Sequence, residues 1–203
     1  MAGLVSPRVV KALALGAIQI PQELQDLFQI IENLQPVNVM EIGSEAGGTF
    51  YLWCKLARGI KISLDFPTGT SGSGRFAEEM ALASRTKMFK SWAKDVHVVT
   101  GDSHLPDTWH NVNDILRDQK LDFLFIDGDH SYEGVKKDYE DYRYFVKEGG
   151  LIGFHDINDT EYHRKHGCHV AQFWNEISGE TREINQHAHW GGIGLLRNSN
   201  HVE

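Results

Sequence analysis

A chain of 203 residues, 41% hydrophobic and 24% charged, is long enough for one domain with a substantial core and has the composition of a soluble globular protein. Its net charge of −8 argues against a general nucleic-acid surface, and none of its apolar runs is long enough to span a bilayer. Its two cysteines, Cys54 and Cys168, provide no disulfide framework. We therefore expect a single domain over residues 1–203, in the cytoplasm, without nucleic acid or membrane as a partner.

Residues 1–35 are predicted to form a helical segment. Ser6 and Pro7 are a helix start signal, Gly16 is a stop signal, and Pro21 opens a second helix whose apolar residues recur at helical spacing. Such a segment can cover a binding cleft as a lid or pack against a sheet as a structural layer. The residues themselves favour neither role.

The first predicted strand, Val37–Ile42, runs into a glycine-rich loop that precedes a helix. The loop has the pattern Glu-x-Gly-x-x-x-Gly, built on Glu41, Gly43 and Gly47, and not the Gly-x-Gly-x-x-Gly of dinucleotide-binding proteins. Glycines here let the backbone approach a ligand closely, next to the positive end of a helix dipole. Taken alone, the loop suits a ligand cradle and a tight turn equally.

The next two predicted strands also end in acids. Residues 61–64 lead into Asp65, at the distance from the glycine loop where an acid can accept hydrogen bonds from ribose hydroxyls. Residues 96–100 lead into Asp102 and Ser103. Because parallel strands place their carboxyl ends on one edge of the sheet, we expect these acids to line one crevice.

Between these two strands lie a loop, residues 67–74, and a predicted helix over about residues 75–90. The loop has the Gly/Ser-rich composition of a linker, yet it follows a strand end that faces the predicted crevice. A mobile flap and a plain loop are equally compatible with it.

A strand–helix–strand unit follows a predicted helix over residues 107–119. Its two apolar strands, residues 121–126 and 151–154, are joined by a helix-length segment, residues 132–146. A right-handed parallel crossover brings the ends of both strands to the same sheet edge. The polar residues at these ends are Asp127, His130, His155 and Asp156.

The last part of the chain is predicted to contain a substrate-facing loop, residues 157–169, a helix over residues 170–177, and two strands. The short connection between these strands, residues 181–185 and 193–197, implies an antiparallel pair. The total is seven strands in an α/β arrangement, five of them parallel with helices between.

This strand count, the acid-ended strands and the Glu-x-Gly-x-x-x-Gly loop resemble the class I S-adenosylmethionine-dependent methyltransferases. Four motifs, at residues 63–67, 101–104, 125–135 and 149–156, resemble more narrowly the family of macrocin-type sugar O-methyltransferases and proteins labelled cephalosporin hydroxylases. The resemblance covers residues 37–196. It implies a Rossmann-like, mostly parallel sheet in the order 3-2-1-4-5-7-6, with an antiparallel last strand pair and helices on both faces, in a cofactor-binding core of residues 37–197.

The resemblance also implies how S-adenosylmethionine would be held. Gly43 and its neighbours would hold the methionine part, Asp65 the ribose, and Asp102 with Ser103 the adenine. The full set of implied cofactor-binding residues is Glu41, Gly43, Ser44, Gly47, Asp65, Asp102, Ser103 and Asp127.

For the reaction itself, the resemblance implies a divalent cation, Mg²⁺, bound by Asp127 and Asp156, with His155 or a neighbouring acid completing the set, and His130 as the general base. Some relatives carry a Glu-Asp pair where this chain has His155 and Asp156, which replaces a hard oxygen ligand and admits a softer metal. This chemistry suits methyl transfer to a hydroxyl, because a cation lowers the pKa of the acceptor and an imidazole takes its proton near neutral pH.

We therefore predict an S-adenosylmethionine-dependent O-methyltransferase that acts on a hydroxyl of a small polar acceptor, such as a sugar, and a homo-oligomer, since relatives commonly assemble. Two alternatives stay open. A nicotinamide-dependent oxidoreductase would use Asp65 equally well, although its glycine spacing differs. A non-catalytic protein that binds the cofactor or a metal would need the same residues.

Overall fold

The computed structural model describes residues 4–66, 79–185 and 190–199. In the N-terminal segment, the Ser6 hydroxyl accepts a hydrogen bond from the Val9 amide and caps the first helix, and Pro21 opens the second. The helices are α1 (Pro7–Ala14), α2 (Pro21–Leu34), α3 (Gly48–Leu56), α4 (Glu79–Trp92), α5 (Pro106–Leu116), α6 (Tyr132–Tyr142), α7 (Glu161–Lys165) and α8 (Val170–Trp174).

The strands form one sheet in the order β3-β2-β1-β4-β5-β7-β6. They are β1 (Val39–Ile42), β2 (Lys61–Asp65), β3 (Val96–Thr100), β4 (Leu121–Ile126), β5 (Val146–His155), β6 (Thr181–Ile184) and β7 (Ile193–Arg197). The first five strands pair in parallel, and β7 pairs antiparallel with both β5 and β6. The predicted fold and strand order are confirmed.

Side chains of the central strand β4 alternate between two hydrophobic clusters, one on each face of the sheet. Leu124 and Ile126 belong to the cluster that contains α5, α6 and α8 residues. Phe123 and Phe125 belong to the cluster that contains α1, α2 and α3 residues. Since all six residues of β4 are buried, the polar residues that follow it are fixed relative to a fully packed strand.

Several predicted boundaries were wrong, and local hydrogen bonds explain most of them. The first strand begins at Val39 and not at Val37, because the Val37 and Asn38 amides donate to the Asp122 carboxylate instead of joining the sheet ladder. The predicted helix 107–119 ends at Leu116, where the next two residues adopt positive φ angles. The fourth helix ends at Trp92 and not at Lys90, while its predicted start and the predicted loop 67–74 lie outside the described residues.

The second half shows larger differences. The predicted helix 132–146 ends at Tyr142, and β5 begins at Val146, five residues earlier than predicted, because Val146 is itself buried in the core. The predicted loop 157–169 contains helix α7, capped by the Thr160 hydroxyl, which accepts from the His163 amide. In the described parts of the chain, no helix combines the length and hydropathy of a bilayer span.

Candidate active site

A cleft of about 390 Å³ lies at the carboxyl ends of the five parallel strands. Ten predicted site residues line it, namely Glu41, Gly43, Ser44, Asp65, Asp102, Ser103, Asp127, His130, His155 and Asp156. Gly47 is not among the lining residues. A Cβ atom added there would lie 2.1 Å from the Phe89 ring, at a φ of +85°. Packing of α3 on α4 therefore explains this glycine.

Gly43 lies where the loop after β1 meets the turn after β4. It has a φ of +85°, and an added Cβ would lie 2.0 Å from the carbonyl oxygen of Asp127. The Asp127 amide in turn donates to the Ile42 carbonyl, at 2.9 Å. The glycine thus lets the loop after β1 touch the turn after β4, so that residues from both strand ends share one cleft.

Asp65, at the end of β2, is held by an arginine that sequence reasoning missed. A terminal nitrogen of Arg85 donates to Asp65 Oδ2 at 2.7 Å, and Arg85 Nε donates to the Glu45 carbonyl at 2.7 Å. Burial raises the pKa of Asp65, against the lowering effect of the Arg85 charge. The guanidinium therefore fixes the carboxylate and ties it to the glycine-rich loop.

Residues of α6 contact the loop after β3 and support it. The His104 amide donates to Asp102 Oδ1 at 2.9 Å, and Tyr142 donates from its hydroxyl to the Ser103 carbonyl at 2.9 Å. His104 Nε2 lies 3.3 Å from Oδ1 of Asp138, a fully buried residue of α6. The hydrogen bond to Asp138 raises the pKa of His104. The loop that carries Asp102 and Ser103 is thus held in part by Asp138 and Tyr142, which no motif indicated.

The polar residues after β4 and at the end of β5 converge in what we call the carboxylate–imidazole cluster, made of Asp127, His130, His155 and Asp156. His130 Nε2 lies 3.3 Å from Asp127 Oδ1 and 3.2 Å from Asp156 Oδ2. His155 Nδ1 lies 3.3 Å from Asp127 Oδ1 and 3.4 Å from Asp156 Oδ1. Each carboxylate therefore faces both imidazoles, as the predicted crossover requires.

Mutual attraction sets the protonation of this cluster. Burial alone would lower the pKa of His130, but hydrogen bonds to Asp127 and Asp156 raise it to about 10. At His155 the charges of Asp156 and Asp127 likewise outweigh burial and raise the pKa well above its ordinary value. The imidazole charges in turn hold the pKa of both carboxyls low. In this arrangement the two carboxylates favour the protonated form of both imidazoles.

The cluster also has the composition of a metal site. One ligand atom from each of its four residues can be chosen so that all lie within 4.8 Å of one another. Two carboxylate oxygens with two imidazole nitrogens suit a softer divalent ion such as Mn²⁺ or Zn²⁺ at least as well as the predicted Mg²⁺. Because imidazoles must lose their protons to bind a metal, occupancy is expected to fall with decreasing pH.

Sequence reasoning also missed Gln19, which connects the N-terminal segment to the cluster. Gln19 Nε2 donates to Asp127 Oδ2 at 2.9 Å, and its Oε1 accepts from the Thr49 hydroxyl at 2.6 Å. Helices α1 and α2 are packed as a layer, with Val9 and Leu24 fully buried, while residues 16–19 line the cleft. The segment is therefore a packing layer whose residues 16–19 form part of the cleft wall, and its role as a lid stays a prediction.

His163, on α7, supports Asp156 from the other side. Its Nδ1 donates to the Asn158 carbonyl, and its Nε2 lies 3.2 Å from both the Gly191 amide and Asp156 Oδ1. Neutral His163 accepts from Gly191, whereas the protonated ring donates to Asp156, so these two contacts are alternatives. The hydrogen bond to Asp156 raises the pKa of His163. The short helix thus places an imidazole next to the cluster.

Comparison with known proteins identifies the family. Residues 40–157 match the protein family described as "Methyltransferase domain". The chain belongs to this methyltransferase family. Its sheet order is that of the class I S-adenosylmethionine-dependent methyltransferases, as predicted. The narrower resemblance to macrocin-type sugar O-methyltransferases stays a prediction.

Among related proteins, an uncharacterized protein of Sinorhizobium fredii is 26% identical over 175 residues, which cover 82% of this chain and 18% of that protein. An uncharacterized protein of Acanthamoeba polyphaga mimivirus is 31% identical over 140 residues, which cover 65% of this chain and 59% of that protein. This methyltransferase chain thus spans less than two thirds of the length of these relatives.

Among solved structures, the chain is similar to the O-methyltransferase TomG of Streptomyces achromogenes, which is involved in tomaymycin synthesis and was solved in complex with SAM. The TM-score is 0.67 at 16% identity, and the match covers 96% of this chain and 91% of that one.

Proposed function

We propose that this methyltransferase uses S-adenosylmethionine to methylate a hydroxyl group of a small polar acceptor, such as a sugar. The observation that carries the proposal is the division of one cleft into two chemically different halves. The donor half follows β1, β2 and β3 and consists of Glu41, Gly43, Ser44, Asp65, Asp102 and Ser103. The other half is the carboxylate–imidazole cluster.

The donor half fits a cationic ligand with several hydrogen-bonding groups. Glu41 Oε2 and Ser44 Oγ are buried without a hydrogen-bond partner among the described residues, although both residues line the cleft. Burial raises the pKa of Glu41, so a cationic group bound beside it would favour its carboxylate form, and Asp65 and Asp102 offer further hydrogen-bond acceptors. The SAM complex of TomG, which shares the fold, supports the same choice of ligand.

The cluster fits the activation of a hydroxyl. Bound S-adenosylmethionine supplies an electrophilic methyl group, and a divalent cation held by Asp127, His155 and Asp156 would supply a Lewis acid. A neutral alcohol is a poor nucleophile, so a residue of the chain must take its proton as the new bond forms. We assign this role to His130, because its side chain is 28% exposed to the cleft whereas that of His155 is only 3% exposed. His130 can accept a proton only when its carboxylate partners are engaged elsewhere.

Family membership favours methyl transfer over the nicotinamide-dependent alternative. Titration calorimetry with S-adenosylhomocysteine and with NAD tests the donor half directly. We expect micromolar binding of S-adenosylhomocysteine, no binding of NAD, and a loss of about tenfold in affinity in Asp65→Asn. Asp95→Asn, which removes an exposed carboxylate paired with His97, is the matched control. Binding of NAD without S-adenosylhomocysteine would refute the proposal.

A second experiment tests the cation. Mn²⁺ and Mg²⁺ are titrated into the metal-free protein and into Asp156→Asn, each at pH 6 and pH 8. We expect saturable binding that is tighter at pH 8 and lost in the variant. Equal binding by both proteins would remove the cation from this site.

A further inference from the structure

A second group of metal-ligating side chains converges beside the carboxylate–imidazole cluster, on the side of α7. It consists of Asp156, His163 and Cys168, whose ligand atoms can be chosen so that all three lie within 4.8 Å of one another. His163 and Cys168 are buried, at 3% and 9% exposed. A carboxylate, an imidazole and a thiol are the ligand types that zinc binds in proteins. The chain has no Cys-x-x-Cys pair, so no sequence motif indicates this group.

Asp156 can serve this group and the cluster together, because its two carboxylate oxygens face different imidazoles. Oδ2 lies 3.2 Å from His130 Nε2, whereas Oδ1 lies 3.2 Å from His163 Nε2 and 3.4 Å from His155 Nδ1. Oδ1 is buried and meets the geometry of no hydrogen bond among the described residues. The backbone of Asp156 has a φ of +63°, which non-glycine residues adopt rarely and mostly where function requires it.

His163 has the support that a metal-ligating histidine needs. Its Nδ1 donates to the Asn158 carbonyl, which fixes the tautomer with a lone pair on Nε2. This Nε2 is the atom that faces Asp156 Oδ1, and two acceptor atoms at 3.2 Å need a proton or a cation between them. The Gly191 amide also lies 3.2 Å from Nε2, so a metal ion would take the place of that hydrogen bond.

The turn after α7 brings Cys168 to the same point. Gly167 has a φ of +72°, and an added Cβ would meet nothing within 4 Å, so its backbone conformation explains the glycine. The Cys168 amide donates to the His163 carbonyl at 2.9 Å, and Cys168 Sγ lies 4.0 Å from the Asp156 carbonyl oxygen. Burial raises the pKa of this thiol to about 12, and a coordinated cation removes the proton of a thiol outright.

The ligand types select the metal. Zinc bonds are about 2.0–2.3 Å long, so its ligand atoms lie about 3.3–3.8 Å apart, and the group has to contract by about 1 Å. A thiolate disfavours Mg²⁺ and Ca²⁺, which prefer oxygen ligands. Asp156 and His163 line the cleft, so an ion can enter from there.

We infer that Asp156, His163 and Cys168 form a second metal site, which binds a thiophilic divalent cation such as Zn²⁺. The ion links the residue after β5 to α7 and to the turn before α8, and it fixes the carboxylate that the cluster shares. Its thiolate ligand distinguishes this site from the cation site of the proposed function. The site needs neither S-adenosylmethionine nor a methyl acceptor, so it does not rest on that proposal.

Cobalt spectroscopy tests the thiolate directly. Co²⁺ is titrated into the full chain without an affinity tag, and Zn²⁺ is then added. We expect a near-ultraviolet charge-transfer band from sulfur to cobalt, which saturates, disappears when Zn²⁺ displaces Co²⁺, and is missing in Cys168→Ser. Cys54→Ser, which replaces another buried free cysteine whose pKa burial raises to about 12, is the matched control and should keep the band. No band in the unmodified protein, or an equal band in Cys168→Ser, would overturn the inference.

Two further variants separate the site from the carboxylate–imidazole cluster. Competition with a chromophoric chelator should show that His163→Gln weakens Zn²⁺ binding about 100-fold or more. His166→Gln, which removes an exposed imidazole of the same segment, should stay within about threefold. Asp127→Asn changes the cluster alone and should keep the cobalt band.

Equal Zn²⁺ affinity in His163→Gln and the unmodified protein would reject the site. Loss of the cobalt band in Asp127→Asn would assign the ion to the cluster and would also reject it. Thermal melting without metal shows whether each variant is folded, and Cys168→Ala takes the place of Cys168→Ser if the serine variant is not.

Discussion

The two halves of the cleft are built on opposite principles. In the donor half, functional carboxylates are held by residues from outside the cleft, as Arg85 holds Asp65, and buried polar atoms such as Glu41 Oε2 have no hydrogen-bond partner among the described residues. In the carboxylate–imidazole cluster, the four charged groups neutralise one another at 3.2–3.4 Å.

This difference predicts how each half works. The donor half is preorganised, so it can bind a ligand without rearranging its own partners. The cluster must exchange internal contacts for contacts with an acceptor or a cation before it can act. Substitutions in the donor half should therefore change binding and stability, whereas substitutions in the cluster should mainly change turnover.

The largest effect is expected for Asp127→Asn. This substitution keeps the shape of the side chain but removes the charge that both imidazoles face, so we expect methyl transfer to fall by about 10³-fold or more. Affinity for S-adenosylhomocysteine should stay within about threefold. Both are measured with radiolabelled methyl donor and by calorimetry, with Asp141→Asn on the surface of α6 as the control. Equal loss of binding and turnover would contradict the division into two halves.

Arg85→Met tests the opposite half through stability. The Arg85 and Asp65 side chains are 2% and 19% exposed, and removing one partner of a buried ion pair costs about 3 kcal/mol. Urea unfolding should show this loss, with a smaller one for Arg85→Lys, which keeps the charge but not the second hydrogen bond. Arg8→Met removes a similar pair at the surface and should cost less than about 1 kcal/mol. A loss in Arg85→Met as small as that in Arg8→Met would show that the pair does not support the donor half.

The sequence predicts where the acids of both halves lie, because these residues follow apolar strands directly. Asp65, Asp127 and Asp156 could be assigned to one sheet edge from the order of strands alone. The residues that hold them could not be found in this way. Gln19 reaches Asp127 across 108 positions, and Arg85 lies in a helix whose pattern marks no single residue for a buried charge.

The two glycines of the motif also show what a sequence pattern leaves undetermined. The motif assigns Gly43 and Gly47 to ligand binding. An added Cβ would nevertheless meet the Asp127 backbone, just after β4, at Gly43 and the Phe89 ring at Gly47. A glycine pattern records where a side chain does not fit, and only the packed structure tells whether a ligand or the protein itself occupies the space.

Gln19→Ala should have a moderate effect that connects the two halves. The substitution leaves Asp127 Oδ2 and the Thr49 hydroxyl without their buried partner, which costs about 1–3 kcal/mol in urea unfolding. Turnover should fall more than donor affinity, because Asp127 belongs to the cluster. Gln22→Ala, which removes a hydrogen bond to Asp26 within α2, should cost less than about 0.5 kcal/mol and is the control. If both variants were equally stable, Gln19 would be a passive part of the cleft wall.

The smallest effect is a pH dependence confined to the donor half. The hydrogen bond to buried Asp138 raises the folded-state pKa of His104, so its stabilising contribution is complete below the unfolded pKa of about 6.5 and is lost as pH rises through the raised value. Because the His104 side chain is 24% exposed, we expect less than about 1 kcal/mol. The measurement is urea unfolding between pH 6 and pH 9, in which His104→Gln should lose less stability with rising pH than the unmodified protein. His97→Gln, which removes an exposed imidazole outside the cleft lining, is the matched control. An identical profile for His104→Gln and the unmodified protein would show that α6 supports the Asp102 loop by packing and not through this ion pair.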